Sequence, residues 1–546
     1  MTALLTDNLP LLAGAPNGIK KLRELILELA VRGKLVPQDP NDEPASELLK
    51  RIAEEKARLE ANGKTQKQKS FKKIGDDEKS FDLPERWAWQ RFGQVFSLEY
   101  GDNLPANKRS NTGEYPVYGS NGIVGTHNTY FVGSPCIVVG RKGSAGALNL
   151  CHSSGCCVTD VAYYCVPPSV FSLDYVFKLF HTLGLDSLGK GIKPGLNRNE
   201  AYALVVAIPP LAEQHRIVAK VDELMALCDR LEGQQADAES AHAQLAQALL
   251  GSLTQATDAE DFAASWQRLA EHFHTLFTTE PSIDALKQTL LQLAVMGKLV
   301  PQDPSDEPAS ELLKRIAEEK ARLVAEGKIR KQKLLGEIAA QEKPFVIPTH
   351  WEWVRLDSVL KKIGAGSTPL GGKQAYVADG VKFIRSQNVW NEGLRLNDVA
   401  FIPEKTHQKM SGTHVEAGDL LFNITGASIG RCAAVPPDFD TGNVSQHVTI
   451  IRPVSGDTQP FLHVVLISQL VQQTVMDVQV GVSREGLSIG KLSQFLIPFP
   501  PEAEQHRIVA KVDQLMALCD KLKARLTQAR QLNAQLATAL VEQAVA

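Results

Sequence analysis

The sequence predicts an α+β protein in which two globular inserts are joined by long helices, and the helices form an antiparallel coiled coil with a pseudo-two-fold relation. Three observations predict this fold class. A heptad stretch is present twice, a longer segment is repeated almost unchanged, and two unlike β-rich inserts lie between the repeats. The predicted segments alternate between helical regions and inserts along the chain as residues 1–82, 83–208, 209–346, 347–499 and 500–546.

A heptad pattern marks the two long helices. Each copy opens with Ala-Glu-Gln-His-Arg-Ile, once from Ala212 and once from Ala503. Its apolar residues then recur at alternating steps of four and three, as Ile217, Val221, Leu224, Cys228 and Leu231 and as Ile508, Val512, Leu515, Cys519, Leu522 and Leu526. This spacing is typical of a helix that packs on another helix. A Pro-Pro pair before each copy predicts the helix start, because a proline there gives up no helical hydrogen bond.

The second repeat indicates an internal duplication. The segment 33–64 recurs as 297–328 with three differences, which are Asn41/Ser305, Glu60/Val324 and Asn62/Glu326. An amphipathic helix is predicted before each copy, over 20–32 and 284–296, and the glycine that follows it is expected to end it. A further helix is predicted within each copy, ending near Asn62 and Glu326. Two copies of one helical unit can form two equivalent docking faces.

The two inserts open alike and then diverge. Pro-Glu-Arg-Trp-Ala-Trp from Pro84 matches Pro-Thr-His-Trp-Glu-Trp from Pro348. Short β-rich runs such as 136–139 and 447–451 then alternate with glycine- and asparagine-rich turns such as 119–122. Similar ends with unlike middles predict two readers of two different ligands.

Composition limits the classes of protein that remain. The chain has 546 residues, 43% hydrophobic and 22% charged residues, and a net charge of −3. These values predict a soluble protein of three or four units, without a membrane span or signal peptide, and the cytoplasm as its location. The charge gives no global signal for nucleic acid, so for DNA binding the positive charge must be local or be supplied in part by a partner. Cys151, Cys156, Cys157 and Cys165 lie near His152, but their spacings match no common zinc pattern, and no metal site is expected.

The ordered motifs resemble the specificity subunits of type I restriction–modification systems. The helix openings 209–218 and 500–509 resemble the constant helical regions of that family, as do the Gly-Lys-Leu-Val-Pro-Gln segments and the insert openings. In the second insert, the runs 366–369, 383–389 and 418–423 are similar to its target-recognition domains. In the first insert, the run 118–123 is the segment similar to those domains, but no run there closely matches Gly-Ser-Thr-Pro.

The resemblance implies a non-catalytic chain that binds double-stranded DNA. Each insert would be a target-recognition domain for one half of a split DNA sequence, and the paired helices would act as a spacer. Two methyltransferase (modification) subunits would dock and bring S-adenosylmethionine, and restriction/translocase subunits would use ATP and Mg. No cofactor is expected on this chain itself.

Two catalytic motifs are missing from the sequence. No Pro-Pro pair stands in the Asp/Asn-Pro-Pro-Tyr/Phe motif of adenine-amine methyltransferases, and the glycines from Gly366 to Gly372 do not form a nucleotide-binding P-loop. His215 and His506 stand near the helix starts, where capping or a partner contact is expected rather than catalysis. The alternative interpretations are a stand-alone DNA-binding regulator and an enzyme with an unrecognised site. The two near-identical helical units favour the specificity subunit.

Basic, amide and hydroxyl side chains in the inserts are the candidate DNA contacts, because such groups read base edges and hold phosphates. The alternative for each is an ordinary polar loop. Glycines such as Gly140 and Gly143 flank several of them and would let backbone approach DNA. In the first insert the candidates are Lys108, Arg109, Ser120, Asn121, Arg141, Lys142, Lys190, Lys193, Asn197 and Arg198. In the second insert they are Ser367, Thr368, Arg385, Ser386, Gln387, Asn388, Gln446, His447, Ser483 and Arg484.

Overall fold

The structure is a computed structural model that describes residues 9–61, 71–110, 112–188, 195–330, 336–480 and 486–545. The chain divides into two compact units. The first comprises Met1–Ala238 and Ala529–Ala546, and the second comprises Glu239–Gln528. Each unit therefore contains one insert together with parts of the helical segments.

The first unit begins with the helices α1 (Leu9–Gly14), α2 (Gly18–Val31) and α3 (Ala45–Ala61). The helix predicted over 20–32 is therefore confirmed. Gly33 ends α2 with a positive φ of 69°. The backbone N–H of Lys34 donates to the carbonyl of Leu29 across this turn, at 3.0 Å. A left-handed glycine is the usual means of ending a helix in this way.

The first insert follows as a set of short strands and three short helices. Its strands are β1 (Ala88–Arg91), β2 (Glu99–Tyr100), β3 (Tyr115–Gly119), β4 (Gly122–His127), β5 (Cys136–Gly140), β6 (Leu148–Cys151), β7 (Cys157–Val158), β8 (Ala162–Cys165) and β9 (Val205–Ile208). Its helices are α4 (Phe92–Val95), α5 (Leu173–His181) and α6 (Arg198–Ala203). The antiparallel pair β1–β9 joins the two ends of the insert.

The long helix α7 (Leu211–Gln255) begins directly after Pro209 and Pro210, as predicted. The helices that follow are α8 (Ala259–Glu271), α9 (Phe273–Leu276), α10 (Glu280–Val295) and α11 (Ala309–Ala325). Gly297 ends α10 with a φ of 70°, which repeats the conformation of Gly33. The duplicated sequence therefore forms duplicated local structure.

The second insert is built in the same way. Its strands are β10 (Glu352–Arg355), β11 (Leu360–Ala365), β12 (Val381–Ile384), β13 (Val389–Trp390), β14 (Gly393–Leu394), β15 (Ala400–Ile402), β16 (His414–Val415), β17 (Leu420–Asn423), β18 (Cys432–Ala434), β19 (Gly442–Val444), β20 (Val448–Pro453) and β21 (Leu496–Phe499). Its helices are α12 (Glu404–Lys409), α13 (Gln459–Ile467), α14 (Gln469–Val480) and α15 (Ile489–Ser493). The pair β10–β21 closes this insert, and α16 (Glu502–Val545) follows it.

The two inserts share one topology although their sequences diverge. The sheet order β2-β8-β5-β6 in the first insert corresponds to β11-β20-β17-β18 in the second. Both inserts also contain one parallel pair, β3–β7 and β12–β19 respectively. The turn after β3 therefore occupies the same topological position as the loop after β12.

The long helices contribute to the core of each unit at opposite ends. In the first unit, the start of α7 and the end of α16 share a core with α2. In the second unit, the end of α7 and the start of α16 share a core with α10. This order is that of two antiparallel helices and confirms the predicted fold class. The heptad seams are also covered by α2 and α10, which the heptad spacing alone does not indicate.

Ion pairs repeat the duplication at these helices. In the first unit, the Arg23 guanidinium of α2 lies 2.7 Å from the carboxylate of Asp229 on α7. In the second unit, Lys287 of α10 pairs with Asp520 on α16 at the equivalent positions. The same charge pattern therefore fixes a short helix against a long one in both units.

No single helix in the described ranges is long and apolar enough to cross a membrane. One bent pair, Gly456–Ile467 with Gln469–Val478, has the length and composition of a span. Its apolar side chains are used in the core of the second unit, where Phe461, Val465 and Val471 are buried.

We expect the substitution Gly33→Ala to destabilise the first unit. A β-carbon at Gly33 would lie 2.6 Å from Cγ of Pro84, and the positive φ adds backbone strain. A left-handed conformation costs an L-residue about 1–2 kcal/mol, before the steric clash is added. Urea denaturation followed by circular dichroism measures the loss.

The matched control is Gly233→Ala on α7. A β-carbon there meets nothing within 4 Å, and alanine favours a helix over glycine by about 1 kcal/mol. This variant should unfold at equal or higher urea. Equal stability of the Gly33 variant and the wild-type chain would contradict the role of the glycine.

Candidate nucleic-acid interface

A buried glutamate joins three parts of the first unit at the start of α7. Glu213 is 1% exposed. Its carboxylate accepts hydrogen bonds from the indole N–H of Trp87 at 2.9 Å and from the amide of Gln38 at 2.7 Å. Trp87 opens the first insert, and Gln38 lies in the loop after α2. Burial raises the pKa of Glu213 above its ordinary value, and the two donors oppose that shift.

The second unit contains the same junction. Glu504 at the start of α16 accepts from the indole N–H of Trp351 at 2.8 Å and from the amide of Gln302 at 2.6 Å. Burial raises the pKa of this carboxyl as well. We call Glu213 and Glu504, each with its tryptophan and glutamine, the insert junctions.

Ion pairs and an amide support each insert junction. Arg216 of α7 holds the carboxylate of Asp42 at 2.6 Å, and Arg507 of α16 holds Asp306 at 2.5 Å. The amide of Gln214 donates to the carbonyl of Pro209 at 3.2 Å, and Gln505 does the same to Pro500 at 3.0 Å. The side chains of His215 and His506 are exposed on the same first turns. Each insert is therefore attached to its long helix by the same set of polar contacts.

In the first insert, two of the predicted arginines contact one tyrosine ring. The guanidinium carbons of Arg141 and Arg198 each lie 4.7 Å from the ring centroid of Tyr100. Arg141 follows β5 and also donates to the carbonyl of Asp160 at 2.9 Å. Tyr100, at the end of β2, is 47% exposed. Cation–π contacts of this kind hold guanidinium groups in place at a surface.

The predicted turn Ser120–Asn121 lies beside the same loop. It connects β3 and β4, and Asn121 is exposed. A β-carbon at Gly140 would lie 2.4 Å from the carbonyl oxygen of Ser120. The glycine therefore permits the β3–β4 turn to approach the end of β5, which gives it a role within the insert itself.

The remaining candidates of the first insert have different surroundings. Lys108 is exposed at the end of a 3-10 turn, whereas Arg109 donates to the carbonyl of Val124 at 3.0 Å. Lys142 is half-exposed, with its ammonium 3.8 Å from the carboxylate of Asp160. The side chain of Asn197 caps α6 by accepting from the backbone N–H of Asn199. Lys190 and Lys193 lie outside the described residues.

In the second insert, the predicted residues lie at neighbouring strand ends. Ser367 and Thr368 are exposed after β11, and the backbone N–H of Ser367 donates to the carbonyl of Val444 at 3.1 Å. Gln446 and His447 are exposed between β19 and β20. The imidazole Nδ1 of His447 lies 2.6 Å from the hydroxyl of Thr425. Ser483 and Arg484 lie outside the described residues.

The run after β12 divides into exposed and structural side chains. Gln387 is exposed, and Ser386 is half-buried with its carbonyl accepting from the amide of Asn423 at 2.9 Å. The guanidinium of Arg385 donates to the carbonyl of Asp398 at 3.0 Å. Asn388 is 2% exposed, and its amide bonds to the backbone of Arg385 and of Arg395. Its amide therefore shapes the loop from within.

A second arginine–aromatic arrangement was missed by the sequence reasoning. The ring of Trp390 lies between Arg395 and Arg431, whose guanidinium carbons are 3.6 and 3.7 Å from its centroid. The side chain of Arg395 is 58% exposed. The short spacing between Trp390 and Arg395 is a signal that could have indicated this pair, because β13 and β14 pair across a tight turn. Tyr100 in the first insert was missed in the same way.

We call the two groups, Tyr100 with Arg141 and Arg198 and Trp390 with Arg395 and Arg431, the arginine–aromatic stacks. Each stack lies in one insert and provides local positive charge on a chain with a net charge of −3. Arginine is chemically suited to contact phosphate and base edges. The residues of the two stacks differ.

Comparison with known proteins identifies the class of chain that carries these two inserts. The family described as the type I restriction modification DNA specificity domain matches residues 84–239 and 348–530. The chain belongs to this family. The match covers both inserts and extends into the long helix that follows each of them.

Individual relatives cover nearly the whole chain. The type I restriction enzyme EcoAI specificity subunit of Escherichia coli is 36% identical, over 97% of this chain and 94% of the relative. The EcoEI specificity subunit of Escherichia coli is 35% identical over the same shares. A solved structure on complex assembly of the type I R-M system contains a chain that is 17% identical, with 85% of this chain and 99% of that chain covered and a TM-score of 0.49. The family assignment rests on the sequence comparisons.

We expect Glu213→Ala to destabilise the first unit at neutral pH, because it leaves two buried donors, Trp87 and Gln38, without their acceptor. An unsatisfied buried donor costs about 1–3 kcal/mol. Urea denaturation measures the loss, and Glu223→Ala is the control, since Glu223 is exposed on the same helix. An equal loss in both variants would contradict the role of the insert junction.

The variant Glu213→Gln tests the pH dependence. The pKa of Glu213 is raised in the folded chain, so folding favours the protonated carboxyl. The stability that comes from this protonation is fully present below the ordinary glutamate pKa of about 4.3. It is lost as the pH rises through the raised value. The stability of Glu213→Gln should therefore fall less than that of the wild-type chain as the pH rises above the ordinary glutamate pKa of about 4.3.

Proposed function

We propose that the chain is the DNA sequence-specificity subunit of a type I restriction–modification complex. The family match over both inserts is the observation that carries this proposal. The relatives that match over nearly the whole chain carry that role in their names. The insert junctions support it further, because they hold two different surfaces on equivalent helices.

Each insert reads one half of a split DNA target in this proposal. The inserts share their sheet topology, and each provides an arginine–aromatic stack near its strand ends. Because the stacks and the turns beside them differ in residue type, the two half-sites differ and the target is asymmetric. The long helices α7 and α16 set the spacer between the half-sites.

The repeated segments are the docking faces for two methyltransferase subunits. Both copies expose the same arginine–glutamate pair, with the arginine on the helix and the glutamate just before its start. Arg51 pairs with Glu43 in the first copy, and Arg315 pairs with Glu307 at 2.7 Å in the second. These side chains are about half exposed, so a partner can contact them. Two equivalent faces fit two copies of one partner.

The chemistry belongs to the partners in this proposal. The methyltransferase subunits supply S-adenosylmethionine, and the restriction/translocase subunits supply ATP hydrolysis with Mg, so this chain is not catalytic. We expect it to act in the cytoplasm, where these subunits meet DNA. A stand-alone DNA-binding regulator is the second candidate, and the repeated charged faces favour the first.

A reconstitution experiment tests the proposal. The purified chain alone, a methyltransferase subunit alone and their mixture are incubated with genomic DNA and S-adenosylmethionine, and single-molecule sequencing locates methylated adenines. Methylation at one split sequence by the mixture only is the expected result. Methylation by the chain alone would overturn the proposal. Methylation of the same sequence by the methyltransferase subunit alone would also overturn it.

We expect Arg395→Ala to weaken recognition of one half-site only. Loss of a base-reading arginine costs about 1–3 kcal/mol and relaxes one base position. The matching variant in the first insert, Arg198→Ala, should affect the other half-site. Methylation mapping with the reconstituted complex measures both effects.

Arg395→Lys is the control for the second half-site, because it keeps the charge and loses the planar guanidinium. If Arg395→Lys restores the DNA affinity that Arg395→Ala loses, but not the sequence preference, Arg395 is assigned to base reading. Relaxation of both half-sites by one substitution would contradict the division between the inserts.

We expect Arg51→Glu to remove one docking face and Arg315→Glu to remove the other. Native mass spectrometry should show a change from two bound methyltransferase subunits to one in each single variant, and to none in the double variant. Arg230 is exposed on α7, outside the segments 33–64 and 297–328, so Arg230→Glu should leave two subunits bound. Two bound subunits in the double variant would place docking elsewhere.

A further inference from the structure

Three buried cysteines meet inside the first insert. Strand pairing places Cys136 on β5 directly opposite Cys151 on β6. Cys156 pairs with Val132 in an isolated β-bridge, in which each backbone N–H donates to the other residue's carbonyl at 3.0 Å. The three side chains are 0–1% exposed. We call Cys136, Cys151 and Cys156 the three-cysteine cluster.

The sulfur atoms of this cluster are within reach of one ion. All three Sγ atoms lie within 4.8 Å of one another, and those of Cys136 and Cys156 are 3.7 Å apart. A metal–sulfur bond of about 2.3 Å puts three sulfurs around a central ion about 4 Å apart. A shift of less than about 1 Å would therefore complete the coordination.

We propose that the three-cysteine cluster binds a soft d10 metal ion, and that the ion is copper(I) held by three sulfurs. Thiolates select soft ions, and structural zinc almost always takes four ligands. Among the described residues, the metal-capable group consists of these three cysteines alone. Binding exchanges thiol protons for the ion and transfers no electron.

The surroundings of the cluster suit such a site. The sulfurs of Cys136 and Cys156 share a hydrogen bond, in which either thiol can be the donor. Tyr118, Val132, Val138 and Val158 form an apolar shell that excludes water.

The position of the site gives it a structural role in the insert. The ion would tie β5, β6 and the loop before β7 together, within the apolar cluster that also contains Tyr118 of β3. The turn Ser120–Asn121 follows that strand. The inference does not depend on the proposed DNA function, so either can fail without the other.

Anaerobic titration of the reduced full-length chain with copper(I), delivered from a copper(I) chelator, tests the proposal. We expect one copper(I) per chain in the wild type. Cys136→Ser and Cys151→Ser should weaken binding at least about tenfold, since even outer-shell losses reach that scale. Equal binding by the wild type and these variants would overturn the site, as would the absence of binding by the wild type.

Cys157→Ser is the matched control. Cys157 is the neighbour of Cys156 and is buried, but it lies outside the three-cysteine cluster. Its thiol donates to the carbonyl of Thr129 at 3.1 Å, and a serine hydroxyl keeps that donor. Copper(I) binding by this variant should equal that of the wild type, and a tenfold loss would contradict the assignment of the ligands.

X-ray absorption of the copper-loaded wild-type chain gives a test that needs no variant. Three sulfur neighbours and no nitrogen or oxygen are expected around copper. A nitrogen or oxygen ligand would contradict the site. A parallel titration with zinc(II) completes the test, because tighter binding of zinc(II) than of copper(I) at these cysteines would overturn the three-coordinate assignment.

Discussion

The buried carboxylate at the start of each long helix is the interaction on which the rest of the structure depends. Glu213 and Glu504 each receive an indole N–H from the tryptophan that opens an insert and an amide N–H from the preceding helical region. A carboxylate without such donors is too costly to bury. The helix, the insert and the repeated segment therefore assemble together. The residues that orient each insert on its own helix lie outside the divergent middle of the insert.

This arrangement explains how one duplicated chain can carry two unlike surfaces. Backbone hydrogen bonds between strands keep the same topology in both inserts and do not depend on side-chain identity. The strand ends are then able to present different residues, as Tyr100 and Trp390 show. The repeated helical segments keep the same exposed arginine–glutamate pair. Most of the divergence thus lies in the parts that the proposed function assigns to DNA.

The candidate site was only partly predictable. The runs 118–123 and 383–389 were expected from their residue types, and the structure places both at equivalent strand ends. The exposure of single side chains was not predictable. Asn388 is buried and shapes its loop, and Arg109 is bonded to a carbonyl of β4, whereas Gln387 and Lys108 are exposed. Whether a polar group faces solvent depends on segments that are distant in sequence.

The sequence by itself determined the helices, their proline starts and glycine ends, the duplication and the family. These features follow from local spacing and repetition, which can be read directly from the amino-acid sequence. Only the tertiary structure decided which distant side chains meet. Arg431 contacts the ring of Trp390. Cys136 is distant in sequence from the cysteines near His152, yet it lies directly opposite Cys151. Strand register sets these contacts, and register is determined by packing across the whole insert.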